Sequence, residues 1–234
     1  MSDAEPRSRA DRRLAPARRG CSPRALDHVA ISARQFKQSI GAELVDALNG
    51  QYKFFKSRVE LRADASDGHN VIVLAGATKY SPYISVDFYF GRNFASAKQI
   101  ERRLGKHQFY YHIHQYSPNR KAMKGLDYAG PYTWSVDINN PPKTLVTELA
   151  GAIQGMAVPF FERFADIQTA RDALAANDPW CLGGRIFWHQ LLIIDLAIND
   201  LAHFERWSET LEGLDRKRAS EMIRSFKKTS ESVV

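Results

Sequence analysis

The sequence predicts an α+β protein in which an antiparallel or mixed sheet of about five strands, with flanking helices, packs on a C-terminal helical bundle. Between residues 25 and 140, apolar residues mostly recur at every second position, which is typical of strands with one buried face. From residue 141 to residue 234 the apolar period changes to that of a helix. The turns between the predicted strands are short, which favours antiparallel or mixed pairing.

The composition is that of an ordinary globular protein. Of 234 residues, 44% are hydrophobic and 25% are charged, which allows a sizeable core. The longest aliphatic run, residues 191–194, is far shorter than the roughly 20 apolar residues of a membrane-spanning helix. No secretory signal is recognisable, so we expect a cytoplasmic protein without membrane association. Cys21 and Cys181 lack the spacing of a zinc or redox site, so both are expected to be free thiols.

The net charge of +7 is concentrated at the N-terminus. Residues 1–24 contain seven arginines and three acidic residues, so they contribute +4 of that total. A segment this polar cannot bury enough apolar surface to offset the entropy of ordering, and we predict a disordered tail. Two roles are open for it: an arm that binds phosphates or, as the simpler interpretation, an unstructured extension.

The first folded element is predicted to be a helix over residues 33–48. Its apolar residues have four-residue spacing, and Asn49 and Gly50 provide a stop signal. The apolar positions are Phe36, Ile40, Leu44 and Leu48. We expect the helix to pack on the sheet through this stripe.

Three strands are predicted next. The first alternates over residues 55–62, with Phe55, Val59 and Leu61 inward and Lys56, Arg58, Glu60 and Arg62 outward. In residues 69–75, apolar side chains occupy successive positions and would therefore lie on both faces of a strand, which predicts a central strand covered on both sides. Residues 84–90 show the clearest alternation, with Asp87 and Tyr89 outward.

A short helix over residues 95–104 precedes the most distinctive stretch, residues 107–116. Its period of two predicts a strand with Phe109, Tyr111 and Ile113 inward and Tyr110, His112, His114 and Tyr116 outward. A polar loop over residues 117–130 separates it from a fifth strand over residues 132–138, where Ser135 and Asp137 face outward.

The C-terminal region is predicted to be helical throughout. One continuous apolar stripe, kinked at Pro159, consists of Leu145, Leu149, Ile153, Met156, Phe160 and Phe164. A helix over residues 167–176, a long helix over residues 185–207 and a final helix through Leu214, Met222 and Phe226 complete the bundle.

Three segments carry a resemblance to a known family. They are Tyr52-Lys53-Phe54-Phe55, Tyr83-Ile84-Ser85-Val86-Asp87-Phe88-Tyr89-Phe90 and Val158-Pro159-Phe160-Phe161-Glu162-Arg163-Phe164. With the leading helix, they give most of residues 33–207 an order of elements that resembles a bacterial family classified as a domain of unknown function. The resemblance implies an α+β fold and no established activity. It assigns no functional residue, and the Arg-rich tail has no counterpart in it.

Function is expected on the outward face of the predicted sheet. That face collects both signs of charge and several aromatic rings: Arg58, Asp87, Tyr89, Tyr110, His112, His114, Tyr116 and Asp137. Because the chain has no nucleophile or phosphate-loop motif, this mixed surface favours binding over catalysis. Our leading hypothesis is a non-catalytic binding or accessory protein, such as a neutralising factor, that engages a protein partner through this face or an aromatic helical groove.

Two alternatives use the same face. Its tyrosines could stack on the bases of a single-stranded nucleic acid, although Glu60, Asp87 and Asp137 would repel the phosphates. His112 and His114 could bind zinc or iron, with Asp87 or Asp137 as a third ligand, in a metal-dependent hydrolase. The simpler interpretation is structural, since a lone His-x-His pattern is weak and such side chains commonly pack across strands or face solvent.

One polar cluster is predicted outside the sheet. Asp195, Asn199, His203 and Arg206 share one face of the predicted long helix. They form either a polar groove against the sheet or a solvent-exposed stripe in which Asp195 pairs locally. The second interpretation is favoured.

Overall fold

The computed structural model describes residues 31–80, 82–104, 111–182 and 187–231. The predicted tail, residues 1–24, lies outside these residues, as does Phe109. The predicted α+β class is confirmed, since seven strands form one antiparallel sheet and helices pack on one of its faces. Within the described part of the chain, no helix has the length and apolar character needed to span a membrane.

The elements follow one another in the predicted order, but one strand at residues 78–80 was not predicted and two predicted elements are divided, as described below. The strands are β1 (Lys53–Phe55), β2 (Glu60–Ala65), β3 (Gly68–Ala75), β4 (Thr78–Tyr80), β5 (Tyr83–Asn93), β6 (Ile113–Tyr116) and β7 (Trp134–Asp137). The α-helices are α1 (Ala33–Ala47), α2 (Ala95–Leu104), α3 (Leu145–Ala152), α4 (Val158–Arg163), α5 (Ile167–Ala175), α6 (Phe187–Ala197), α7 (Leu201–Ser208) and α8 (Gly213–Glu231).

The long strand β5 is the centre of the sheet. Its C-terminal half pairs with β3 and β6, and its N-terminal half pairs with β4 and β7. Beyond β3 the sheet continues through β2 to β1. Ser117 joins β6 to β7, because its hydroxyl accepts a hydrogen bond from the Phe88 N–H (3.1 Å) and donates one to the Tyr132 carbonyl (2.9 Å). The Ser117 side chain therefore satisfies a backbone N–H of β5 that lies between the residues paired with β6 and those paired with β7.

One face of the sheet is buried beneath the helices. Phe90 of β5 is fully buried, and its ring packs edge-on against Phe160 of α4, with 5.1 Å between the centroids. On the same face, toward the β1 edge of the sheet, the Phe54 ring packs so closely on Gly41 of α1 that any Cβ there would overlap with it. The predicted apolar stripes of residues 33–48 and 145–164 are buried at every position, which confirms both.

The predicted kink at Pro159 takes the form of a π-helical turn over Ile153–Ala157. Proline has no N–H to donate to the carbonyl four residues earlier. The chain instead widens before it, and the Val158 N–H donates to the Ile153 carbonyl. The apolar stripe continues through the widened turn, because Ile153 and Met156 are fully buried within it.

Two predicted elements are wrong. The strand predicted at residues 55–62 is divided by a turn at residues 56–59, where Val59 has a φ of +54°, and β1 and β2 form a hairpin. The long helix predicted at residues 185–207 is divided between α6 and α7, because Asn199 has a φ of +58° and the Asp200 carboxylate caps α7. At both positions a residue in the left-handed region interrupts the regular backbone repeat.

Candidate functional site

The second face of the sheet carries two rows of side chains, each of which crosses five strands. The first row is Phe55, Glu60, Val73, Tyr89 and Tyr116, and the second is Lys53, Arg62, Val71, Gly91 and His114. Directly paired residues share a face of the sheet. We call the two rows, together with Tyr83, Ser85 and Asp87 of β5, the tyrosine face.

Tyr111 covers the second row. Its ring lies so close over Gly91 that a Cβ there would be 2.5 Å from it, and it stacks on His114 with 5.3 Å between the centroids. Tyr111 is 9% exposed, so its predicted burial is confirmed. Its predicted direction is wrong, because it lies on the tyrosine face whereas Ile113 lies in the core. The strand begins only at Ile113, so the alternation does not extend back to Tyr111.

Asp87 lies on the tyrosine face next to the first row, two residues before Tyr89 on β5. The residue is 5% exposed, and its Oδ2 accepts a hydrogen bond from the Tyr116 hydroxyl at 2.6 Å. Its Oδ1 has no hydrogen-bond partner among the described residues. Burial raises the pKa of Asp87 above its ordinary value, although the Tyr116 hydrogen bond and the charge of Lys37 oppose this rise.

Tyr116 and Tyr89 form a stacked pair on this face. Their ring centroids are 4.1 Å apart and their planes differ by 11°. Both residues are partly exposed. Burial and the neighbouring Asp87 raise the pKa of Tyr116, so the phenol keeps its proton and acts as a donor. The pair is a fixed aromatic element hydrogen-bonded to a carboxylate.

Glu60 is a second buried carboxylate in the first row. It was predicted to face outward, and it does lie on the tyrosine face, but it is fully buried. One oxygen forms an ion pair with Arg62, whereas Oε2 has no partner among the described residues. The Arg62 guanidinium also lies over the Phe55 ring, 4.5 Å from its centroid. A cation, a ring and a carboxylate therefore meet at this end of the row.

His112 faces α2 and not the tyrosine face, which corrects the prediction. The ring is fully buried, its Nδ1 accepts a hydrogen bond from the Phe94 N–H (2.8 Å), and its Nε2 lies 3.1 Å from Glu101 Oε1. Because Nδ1 accepts, Nε2 carries the proton and donates to Glu101. Burial lowers the pKa of His112, while Glu101 opposes this effect. Lys98 donates to the other oxygen of Glu101 at 2.7 Å.

The predicted metal ligands do not converge. Both nitrogens of His112 are used by the protein, whereas His114 stacks on Tyr111. Asp137 is paired opposite Tyr83, at the far end of β5. Within the part of the chain that the structure describes, no three His, Cys, Asp or Glu side chains are grouped so that they could hold a metal ion. Burial lowers the pKa of His114 to about 4.

Two other members of the predicted face lie elsewhere. Arg58 is exposed in the turn between β1 and β2, beside α1, where Arg34 Nη2 donates to the Ser57 carbonyl at 2.7 Å. Tyr110 lies outside the described residues. Four members of the predicted set lie on the tyrosine face: Asp87, Tyr89, His114 and Tyr116. Asp137 lies on β7, opposite Tyr83.

The long-helix cluster becomes a local pair at the corner between α6 and α7. His203 Nδ1 lies 3.0 and 2.9 Å from the two oxygens of Asp195. Asp195 is fully buried, so the prediction of a solvent stripe is wrong for this residue, while its local pairing is confirmed. Burial raises the pKa of Asp195, and His203 opposes this rise. The break at Asn199 positions α7 so that the pair can form.

A groove of about 550 Å³ lies beside β6, lined by Gln115, Lys121, Asp178 and Cys181 among others. Burial raises the pKa of the Cys181 thiol to about 12. The thiol is therefore protonated at neutral pH and is a poor nucleophile. The predicted free thiol is confirmed for Cys181, and it has the character of a core residue.

Sequence reasoning missed the roles of Tyr111 and Glu101. Gly91 was a usable signal for Tyr111, because a glycine inside a strand commonly marks the close approach of another group. Glu101 gave no such signal, since its partner His112 lies in a separate element. No protein-family model, curated protein or solved structure matches the chain. The resemblance to a domain of unknown function therefore stays a prediction.

Proposed function

We propose that this protein is a non-catalytic binding protein that engages a protein partner through the open part of the tyrosine face. The observation that carries the proposal is the first row of that face, in which partly exposed aromatic rings lie in one line with the buried Glu60 and next to the buried Asp87. The opposite face of the sheet is already covered by helices. Among the described residues, the tyrosine face therefore offers a partner the part formed by its exposed and partly exposed rings.

The exposed rings have the character of interface anchors. Tyr83 is 53% exposed and Phe55 is 38% exposed, whereas Tyr89 and Tyr116 are partly exposed. Tyrosine combines a large apolar surface with a polar tip and loses little conformational entropy when it is fixed. Tyr89 and Tyr116 are already fixed by their mutual stacking, so these two side chains would lose little conformational entropy when a partner binds.

A protein partner fits this face better than a nucleic acid does. Glu60 and Asp87 place negative charge on the same face as the rings, where it repels phosphates. Tyr89 and Tyr116 also cover one ring face of each other, which leaves fewer free faces for stacking bases.

Site-specific photo-crosslinking tests the proposal. Benzoylphenylalanine at position 83 should form a discrete adduct with one protein in an extract of the native host, and Tyr89→Ala should abolish that adduct. Position 214 provides the matched control, because Leu214 is 69% exposed on α8. Equal adducts at positions 83 and 214, or an adduct that survives Tyr89→Ala, would count against the proposal.

The nucleic-acid alternative has its own measurement. If lysine and arginine side chains of this protein contact phosphates, a labelled single-stranded oligonucleotide should bind with an affinity that falls steeply as the salt concentration rises. Deleting residues 1–24, which carry +4 of the net charge, should remove such binding if the tail is its source. Binding that survives the deletion but is lost with Tyr89→Ala would favour nucleic acid at the tyrosine face.

A further inference from the structure

We infer that the Tyr89–Tyr116 pair, backed by Asp87, is a recognition site for a cationic side chain, an arginine or a lysine, of the protein partner. This inference rests on the proposed function and adds the chemistry of the contact. It is carried by three features of the described residues: an unpartnered carboxylate oxygen, the aromatic pair next to it, and a complete site of the same kind in the same row.

The first feature is the charge of Asp87. Its carboxylate is buried, with one oxygen bonded to Tyr116 and the other without a partner in the described part of the chain. Lys37 is close enough to affect Asp87 electrostatically, but no described cation forms an ion pair with it. A buried carboxylate is screened less than an exposed one, so its negative potential extends through the rings to the surface.

The second feature is the hydrogen bond from Tyr116. A phenol that donates to a carboxylate gains electron density in its ring, and a cation over a ring is attracted by that density. Tyr89 fixes the ring by stacking on it. Small side chains lie next to Asp87 on the same face, namely Ala75 opposite it and Ser85 two residues earlier, and both are partly exposed.

The third feature is the other end of the row. There the Arg62 guanidinium lies over the Phe55 ring and pairs with the buried Glu60, whose own second oxygen is unpartnered. The end formed by β5 and β6 also has aromatic rings next to a buried carboxylate, but among the described residues no cation forms an ion pair with that carboxylate. The protein thus supplies a cation from its own chain at one end of the row, and we assign the corresponding position at the other end to the partner.

Two labelled peptides test the inference on the full chain by fluorescence anisotropy. One is Gly-Ser-Arg-Ser-Arg-Ser-Gly, and the other carries citrulline, the neutral isostere, in place of both arginines. The arginine peptide should bind at least tenfold more tightly to the wild type, as expected for a charge-assisted contact. Asp87→Asn should bring this ratio close to one, because it removes the charge and keeps an oxygen that accepts from Tyr116.

The matched control is Asp46→Asn, which removes the same charge from an exposed position on α1 and should leave the ratio unchanged. Tyr89→Leu is the second variant, since it removes a ring without touching a buried charge, and it should also lower the ratio. Equal binding of the two peptides by the wild type, or an equal loss in Asp46→Asn, would overturn the inference.

The cation site and the proposed function fail in different ways. If position 83 still forms its specific adduct while the peptides bind equally, the partner binds the tyrosine face without a cationic anchor. If position 83 gives no specific adduct, the proposed function fails whatever the peptides show.

Discussion

Replacing His112 tests whether this histidine joins β6 to α2 as a structural residue. The alanine variant removes both hydrogen bonds of the buried ring, so the Phe94 N–H loses its acceptor and the Glu101 carboxylate loses one donor. His112→Asn keeps an acceptor near the position of Nδ1, whereas His112→Gln keeps a donor near the position of Nε2. The three variants therefore separate the two contacts.

The structure sets the expected magnitudes. A buried N–H without an acceptor costs about 1–3 kcal/mol, and a lost hydrogen bond to a charged group costs about 1.5–3 kcal/mol. His112→Ala should therefore lower the free energy of unfolding by about 2.5–6 kcal/mol, before any cavity is counted. His112→Asn and His112→Gln should each cost about half as much, because each keeps one contact.

Urea unfolding, followed by tryptophan fluorescence, measures these free energies. Gln99→Ala, at an exposed position of α2, is the control and should leave the stability unchanged. The structural role is refuted if His112→Ala stays within about 1 kcal/mol of the wild type, since this is less than the smallest cost of the lost contacts. A rise in melting temperature with zinc that His112→Asn abolishes would instead restore the metal hypothesis.

Three further predictions concern other sites. Gly91→Ala should destabilise the fold by about 1–3 kcal/mol by displacing the ring above it, while Gly151→Ala, with open space at its Cβ, should be neutral or slightly stabilising; equal urea midpoints would refute this. Folding lowers the pKa of His114 from 6.5 to about 4, so below pH 6.5 the unfolded chain binds a proton that the folded chain does not. The free energy of unfolding should therefore fall by about 3 kcal/mol as the pH is lowered from 6.5 to 4. His114→Asn should lose less over that range in urea titrations, and an unchanged pH profile would contradict the assignment. His203→Ala leaves buried Asp195 without its partner and should cost about 2–3 kcal/mol, whereas a melting temperature equal to that of the wild type would argue against the pair.

The fold was predictable wherever the signal was local. The stripes of α1 and of residues 145–164 are set by spacing along a single helix, and both were predicted correctly. The alternation of β5 likewise placed Asp87 and Tyr89 on the correct face. In these elements every side chain direction follows from its neighbours in sequence.

The failures arose where a single residue left its expected conformation. Val59 adopts a positive φ although a β-branched residue rarely does so, and no sequence pattern indicates such an exception. Asn199 ends α6 in the same way. The direction of the His112 side chain was also predicted wrongly from the alternation of residues 107–116. The strand begins one residue later, and the contact with Glu101 depends on how α2 packs.

The junction made by Ser117 has a consequence for association between chains. A long unbroken edge strand offers its free N–H and carbonyl groups to the strand of another molecule. Here that edge of β5 is filled by two strands of four residues each, β6 and β7, and the chain leaves the sheet between them. The outer side of β6 is also occupied, since the His114 carbonyl accepts from the Leu182 N–H at 2.7 Å. An interrupted edge of this kind gives a second chain no continuous template, which protects the native protein against assembly into extended sheets.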